Sequence, residues 1–327
     1  MKVLITGGAG FIGSHLVEGL MRRGFPVRVL DNFSTGKPAN LAALRDESGS
    51  AIFDSEGEPL PGKSAELIRG DASDPAVCHA SCSGVEIVLH LAAAPSVPLS
   101  VSDPAASHRA NIEATFRLLL AARDANVRRF IFGASSAAYG DSEQLPKSEL
   151  MRSLPLSPYA VQKLAGEDYS RAFAKCYGLQ TLSMRYFNVF GPRQDPQSQY
   201  AAAIPALITA ILRDESPTIY GDGEQTRDFT YIENIVAANL LAIQSQETRG
   251  ELINIACGES FSLNQIIDQI NEALGKSVRP QYVPPRPGDI KHSWAAISRA
   301  EQVIGYSPII PFAEGLQRTI EWYRANL

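Results

Sequence analysis

The stretch from Lys2 to Asp31 constrains the fold more than any other. Lys2 to Thr6 is a short β-branched apolar run, and it enters Gly7-Gly8-Ala9-Gly10-Phe11-Ile12-Gly13 before a helical pattern carried by Leu16, Val17 and Leu20. A second apolar run, Pro26 to Leu30, ends in Asp31. Strand, Gly-x-x-Gly-x-x-Gly turn, helix, strand and closing acid is the order a dinucleotide requires. Gly7, Gly10 and Gly13 let the backbone approach a pyrophosphate, and the helix opening at Phe11 and Ile12 turns its positive end toward that charge. Asp31 is placed to accept hydrogen bonds from the adenosine ribose. The same carboxylate repels a ribose phosphate, so NAD is expected rather than NADP.

The alternation continues. Glu66–Arg69, Glu86–His90, Arg128–Phe132 and Gln180–Arg185 read as strands, with helical patterns from about Asp103 to Asp124 and from Tyr159 to Tyr177. This predicts an α/β fold with a doubly wound parallel Rossmann sheet, whose ligands belong at the carboxyl ends of the strands. Those ends carry the remaining cofactor candidates: Asn32, Ser34, Thr35 and Gly36 after Asp31, Asp71 and Ala72 toward the adenine, and the small-residue stretch Leu91, Ala92 and Ala93. Asn111 lies on the helix that follows.

The chemistry is expected at Ser157-Pro158-Tyr159-Ala160-Val161-Gln162-Lys163. Ser157 suits an N-cap and Pro158 a first helical position, so a helix starts here and its residues four apart share a face. That sets the Lys163 ammonium beside the Tyr159 phenol. A fixed cation favours the phenolate and lowers its pKa from about 10, which suits Tyr159 to proton transfer near neutral pH. Ser135 and Ser136 end the preceding strand and offer hydroxyls to the same place.

Composition excludes several other classes. A formal net charge of −5 over 327 residues gives no electrostatic reason for a nucleic-acid or anionic-membrane partner, so an anionic ligand needs local positive groups. Cys78, Cys82, Cys176 and Cys257 lack metal-ligand spacing and read as reduced thiols, and no metal is expected. No apolar run approaches the roughly 18 residues a membrane span needs. With Met1 leading directly into a strand, a cytoplasmic protein is expected. Asp46 to Ser64 reads as a polar surface excursion with a small hairpin. Past Asn188 the alternation loosens, and prolines such as Pro284, Pro285 and Pro287 accumulate. The expected division is a NAD-binding domain over residues 1–185 and a smaller substrate-binding lobe over 186–327, with the chain free to cross back.

The glycine turn, Asp31, the serine pair before Tyr139-Gly140, and Tyr159-x-x-x-Lys163 together resemble the extended short-chain dehydrogenases. RYFNVFGPRQDP (Arg185 to Pro196), YAAAIP (Tyr200 to Pro205), YGDGEQTRDFTYI (Tyr220 to Ile232) and RPGDIKHSWA (Arg286 to Ala295) look like the UDP-sugar 4-epimerases, most of all those acting on UDP-N-acetylhexosamines. The likeness spans essentially the whole chain. It implies that Tyr159 takes the proton of the sugar 4-hydroxyl while C4 gives hydride to NAD+, that Lys163 holds the nicotinamide ribose, and that Ser135 bonds the reacting oxygen. It further implies Arg227 and Arg286 on the diphosphate, Asn188 beside them, Asp289 toward the uridine ribose, and Ala202 and Ile204 on the substrate. A homodimer through the helices around Asn111 and Tyr169 is implied as well.

The resemblance implies Ser293 at the wall of the sugar pocket, where a small residue leaves space for an N-acetyl group; Ser96 and Gln194 match polar positions near that group. Departures stand beside it. Pro95 replaces a glycine usual in the N-acetyl-preferring relatives, Leu99 stands where a basic residue is common, and Ala137 replaces a third hydroxyl. Sugar nucleotide dehydratases share the scaffold but carry acids where Ala137 and Ala138 stand, which argues against elimination. A UDP-glucose or UDP-glucuronate 4-epimerase and a non-catalytic NAD-binding regulator are the alternatives.

Overall fold

The computed structural model describes residues 1–196, 203–285 and 291–327. Seven parallel strands form the central sheet: β1 (Val3–Thr6), β2 (Val27–Asp31), β3 (Ala65–Arg69), β4 (Ile87–His90), β5 (Arg129–Ser135), β6 (Gln180–Tyr186) and β7 (Glu251–Ile255). Their order is β7-β6-β5-β4-β1-β2-β3. The direction of winding reverses between β1 and β4, which opens a crevice at the carboxyl ends of those two strands.

Both faces of the sheet are covered. Val3 and Ile5 of β1 join one core with Leu16, Val17, Ile131 and Ile235, whereas Leu4 joins another with Val88, Leu118, Phe130, Phe132 and Phe173. The period of two along a strand makes this split, and helices on each side bury it. The helices that matter to the site are α1 (Phe11–Met21), α2 (Ala114–Asp124), α3 (Pro158–Tyr177) and α4 (Ile232–Gln244). Gly19 lets α1 lie against α4: a Cβ there would come 2.6 Å from Val236 Cγ1.

α3 is set by its ends and by one glycine. Ser157 caps it by accepting from the Ala160 amide at 3.2 Å, Pro158 opens it, and Gly178 closes it in the left-handed region at φ +71°. At Gly166 a Cβ would fall 2.4 Å from the Phe132 ring. A glycine is what lets α3, and Lys163 with it, sit down on β5.

The helix expected from Asp103 is interrupted. Asp103 caps Pro104–His108, a π-helical turn spans Arg109–Glu113, and α2 continues from there. The excursion over 46–64 is not wholly at the surface. Asp46 and Asp54 each gather the amides two and four residues on, making two small loops closed by the bridges Arg45–Ala51 and Phe53–Pro59. Ile52 and Phe53 between them are fully buried with Leu41 and Leu44, because an apolar triplet between polar loops has only the core to enter.

Beyond β6 the chain leaves the sheet for Val189–Phe190, which pairs with Thr230–Tyr231, then returns through α4 and β7. It leaves again to build a three-stranded patch, in which Thr226–Arg227 lies between Phe261–Ser262 and His292–Ser293. The chain therefore crosses back once, and residues 251–255 belong to the same sheet as β1.

Candidate active site

The glycine turn is a cradle that side chains would fill. Gly7, at φ +70°, donates its amide to Leu30 O, and a Cβ there would lie 2.9 Å from the Ala92 nitrogen. A Cβ on Gly13 would lie 2.0 Å from Gly7 O, so α1 can approach the turn this closely only with glycine. Gly10 caps α1 without a side-chain bond, which leaves amides at Phe11 and Ile12 directed to the mouth of the crevice.

Asp31 stands at the end of β2. One carboxylate oxygen accepts from Ala9 N and the other from Phe33 N, both at 2.8 Å, and Gly36 passes so close that a Cβ would meet Oδ2 at 2.9 Å. Burial pushes this carboxyl above its ordinary pKa, and the two amides pull against it. Asn32 donates to Asp71 at 3.1 Å, which joins the ends of β2 and β3; Ser34 and Thr35 are exposed beside them, and Ala72 is buried. These residues fit a dinucleotide: a turn with no room for side chains, a helix end for a diphosphate and an oriented carboxylate for a ribose.

The loop after β4 is held by Thr6, His90 and Thr115, which the sequence did not single out, together with Asn111. The Thr6 hydroxyl accepts from the amides of Leu91 and Ala92 at 3.2 and 3.1 Å and meets His90 Nδ1 at 2.8 Å. His90 reaches Thr115 at 2.9 Å, and burial drives its pKa down to about 3, so the ring is neutral. Asn111, on the π-helical turn, accepts from Ala94 N at 2.8 Å and donates to Gln162 of α3 at 2.7 Å. Its amide thus ties the loop after Ala93 to the helix bearing Tyr159 and Lys163.

Ser135 ends β5, and Ser136 begins the tight turn to Tyr139. The Ser135 hydroxyl accepts from Ala137 N at 3.2 Å and lies close enough to the Tyr159 phenol to pull its pKa down. Lys163, one helical turn on, donates to Gly133 O at 2.8 Å, and its ammonium lies 5.0 Å from the Phe132 ring centroid. Burial lowers its pKa to about 8, against the carboxylate of Glu167. The expected depression of the Tyr159 pKa is corrected here. Among the protein's own groups burial dominates and raises it, and the opposing influence is Ser135 rather than Lys163, whose ammonium is turned to a backbone carbonyl.

Beneath α3 lies a buried network that spacing alone does not reveal. Glu167 receives two bonds from Arg185, at 2.8 and 2.7 Å, and the guanidinium stacks 4.3 Å from the Tyr139 ring. Tyr139 donates to Asn254 of β7 at 2.7 Å, and Asn254 donates to Lys147 O and Ala296 O. Residues sit 18 to 115 positions apart in these contacts; only the sheet order brings them together.

On the other side of the crevice, Asn188 follows β6 at φ +29° and donates to Asp228 O at 2.9 Å. Arg227 donates to Thr226 O and Lys291 O, and Ser293 is its register partner on the neighbouring strand. Ser96 caps the helix Val97–Ser102, accepting from Leu99 N, with Pro95 exposed beside it. Gln194 turns its amide to Val189 O at 3.0 Å, while Tyr323 donates to its carbonyl. The Ile204 side chain is buried in the core, which leaves its backbone alone to face a ligand. Ala202, Arg286 and Asp289 lie outside the described residues. Asp228 was missed, since no residue beside it in the sequence marks burial; it is fully buried, and burial raises its pKa to about 6.

A glycine cradle beside β1, an acid ending β2 and a Ser-Tyr-Lys set at the end of β5 define a short-chain dehydrogenase type of dinucleotide enzyme. Residues 3–256 match the NAD dependent epimerase/dehydratase family, and the chain belongs to it. It is 40% identical to a UDP-N-acetylglucosamine 4-epimerase from Methanobrevibacter ruminantium, solved in complex with UDP-N-acetylmuramic acid; 100% of this chain and 99% of that one are covered at a TM-score of 0.90. A Thermotoga maritima UDP-glucose 4-epimerase with UDP-glucose is 35% identical, covering 100% and 99% of the two chains at a TM-score of 0.89. A Bacillus cereus UDP-glucuronic acid 4-epimerase with UDP-glucuronic acid and NAD is 33% identical, both chains covered at 100%, with a TM-score of 0.88. Among the described residues, no helix is long and apolar enough to cross a membrane.

Proposed function

We propose that this protein is a UDP-sugar 4-epimerase working with NAD, and that its preferred pair is UDP-GlcNAc and UDP-GalNAc. The observation that carries the reaction is the Tyr159 phenol beside the Ser135 hydroxyl, with Lys163 anchored one turn away. Tyr159 receives the proton of the sugar 4-hydroxyl, and Ser135 bonds the oxygen while the charge on it changes. NAD, when bound, would supply the acceptor for the C4 hydride and the donor that returns it to the opposite face of the 4-keto sugar. The Lys163 ammonium, which donates to Gly133 O, would hold the nicotinamide ribose. Burial holds the phenol above its ordinary pKa, so a cation beside Tyr159 would favour its ionised form. The cycle has no net redox change, so the cofactor stays with the protein.

The substrate side rests on Asn188, Arg227 and Ser293, which gather around Asp228, with Arg286 and Asp289 assigned by motif. What favours the N-acetylated pair is Ser293: a small, partly exposed residue in register with Arg227 leaves room where an aromatic ring would not. We propose further that residues 186–327 mainly form the substrate lobe, and that the enzyme acts as a cytoplasmic homodimer through α2 and α3, whose Tyr169 and Tyr177 are exposed. Incubating the purified protein separately with UDP-glucose, UDP-galactose, UDP-GlcNAc, UDP-GalNAc and UDP-glucuronate, and resolving the epimers by NMR, tests the reading. Turnover of UDP-glucuronate alone would replace the N-acetyl assignment, and no 4-epimer from any of them would overturn the reaction.

A further inference from the structure

Asp228 is joined to every described residue assigned above to the nucleotide end of the substrate. Its two carboxylate oxygens accept three backbone amides: Cys257 at 2.9 Å on Oδ1, and Gly258 at 2.9 Å and Ala295 at 3.2 Å on Oδ2. Its own amide donates to Ser293 O at 2.9 Å, and its carbonyl accepts from the Asn188 side chain at 2.9 Å. Arg227 precedes it in the chain. Three segments that are far apart in sequence therefore converge on one residue: the turn after β7 and Ala295 on its carboxylate, and the turn after β6 and the strand carrying Ser293 on its backbone. Asn188 holds positive φ, at +29°, which a residue with a Cβ rarely adopts, so the turn after β6 does not settle into place by local preference alone. A carboxylate with no exposure is costly to bury, and the three amides meet that cost only while the turns stay where they are.

We propose that Asp228 is a positioning residue for substrate: its buried carboxylate locks the turn after β7 to Ala295 just past the Ser293 strand, its backbone holds Asn188 and Ser293, and together these bonds set Asn188 and Arg227 at the spacing that grips a nucleoside diphosphate. This inference rests on the UDP-sugar reading. Asp228 touches no substrate atom itself. Its loss should loosen the grip on the nucleotide without touching the chemistry at Tyr159, which stands on β5 and α3.

The test uses the purified protein with its bound NAD. Asp228→Asn keeps the volume but sets an NH2 group against a backbone N–H. It is expected to raise both KM for the UDP-sugar and the calorimetric Kd for UDP by roughly tenfold, with kcat at saturation within about twofold of wild type. NAD content per chain is expected to stay unchanged. A variant with wild-type KM and UDP affinity overturns the proposal. So does one in which kcat falls at constant KM, the pattern of lost folded enzyme. Should the variant not fold, hydrogen exchange on the wild type decides: the amides of Cys257, Gly258 and Ala295 are expected to exchange more slowly with UDP bound, and unchanged exchange refutes the coupling. A wild-type chain that binds no UDP overturns the UDP-sugar reading and this inference together, whereas wild-type binding with an unaltered variant overturns this inference alone.

Discussion

Replacing Glu167 by Gln should both destabilise the protein and move the pH range in which it works. The Glu167 and Arg185 side chains are 5% and 2% exposed, and the two bonds between them fasten α3 to β6. An amide preserves the volume and removes the charge, leaving a buried guanidinium without its counter-ion. Breaking a buried pair in this way costs about 3–5 kcal/mol. Arg185 keeps its bond to Ser153 Oγ at 2.9 Å and its stacking on Tyr139, which favours the lower end, about 3 kcal/mol. The midpoint of thermal unfolding should fall by roughly 4–5 °C. The second readout is Lys163. Its pKa is about 8 in the folded chain, against the ordinary 10.5, and Glu167 is the group that holds it up against burial. Unfolded chain binds the extra proton between those two values, so the stability lost to burying the ammonium is regained as pH rises through that window. Activity that needs the ammonium declines over the same range, and without Glu167 that decline should begin at lower pH. Differential scanning calorimetry and a pH profile of kcat/KM check the two effects. The double variant Glu167→Leu/Arg185→Met, which fills the site with apolar volume, should recover most of the thermal stability while its basic limb stays low. A single Glu167→Gln variant that melts within about 2 °C of wild type, with an unmoved basic limb, would refute the reasoning.

Tyr159→Phe should retain the fold and the bound dinucleotide while epimerisation falls by about 10² to 10⁴, since only the acid/base hydroxyl is removed; near-full activity would end the assignment. Purified protein should carry NAD, and Asp31→Asn should weaken NAD and narrow its advantage over NADP, measured by fluorescence titration after the native cofactor is stripped. Equal NAD and NADP affinity in the wild type would count against the role of Asp31. Ser293→Tyr should remove activity on UDP-GlcNAc and UDP-GalNAc selectively, because a steric clash discriminates more strongly than a lost contact, and equal loss on UDP-glucose would sink the gate.

What the sequence alone determined was local. The glycine spacing from Gly7 to Gly13, the closing acid Asp31, and the Ser157-Pro158 start of α3 each act within about one turn or one strand of backbone, where sterics and capping decide the outcome. The winding of the sheet followed from the alternation of strands and helices, because a parallel strand pair must be joined by a crossover. The tertiary structure decided where buried charges find partners. Asp228 and Glu167 look like surface acids in the sequence, since nothing near them in the chain marks burial. Their amides and guanidinium arrive from residues 18 to 67 positions away. The Tyr159 pKa belongs to the same category. Four-residue spacing sets Lys163 on the right face of α3, but Gly133 O, supplied by β5, takes the ammonium, and burial then governs the phenol. The apolar triplet in the 46–64 excursion likewise reads as a loop until the core beside Leu41 and Leu44 shows where it goes. Local preference is written in adjacent residues, whereas desolvation depends on everything that packs around a group.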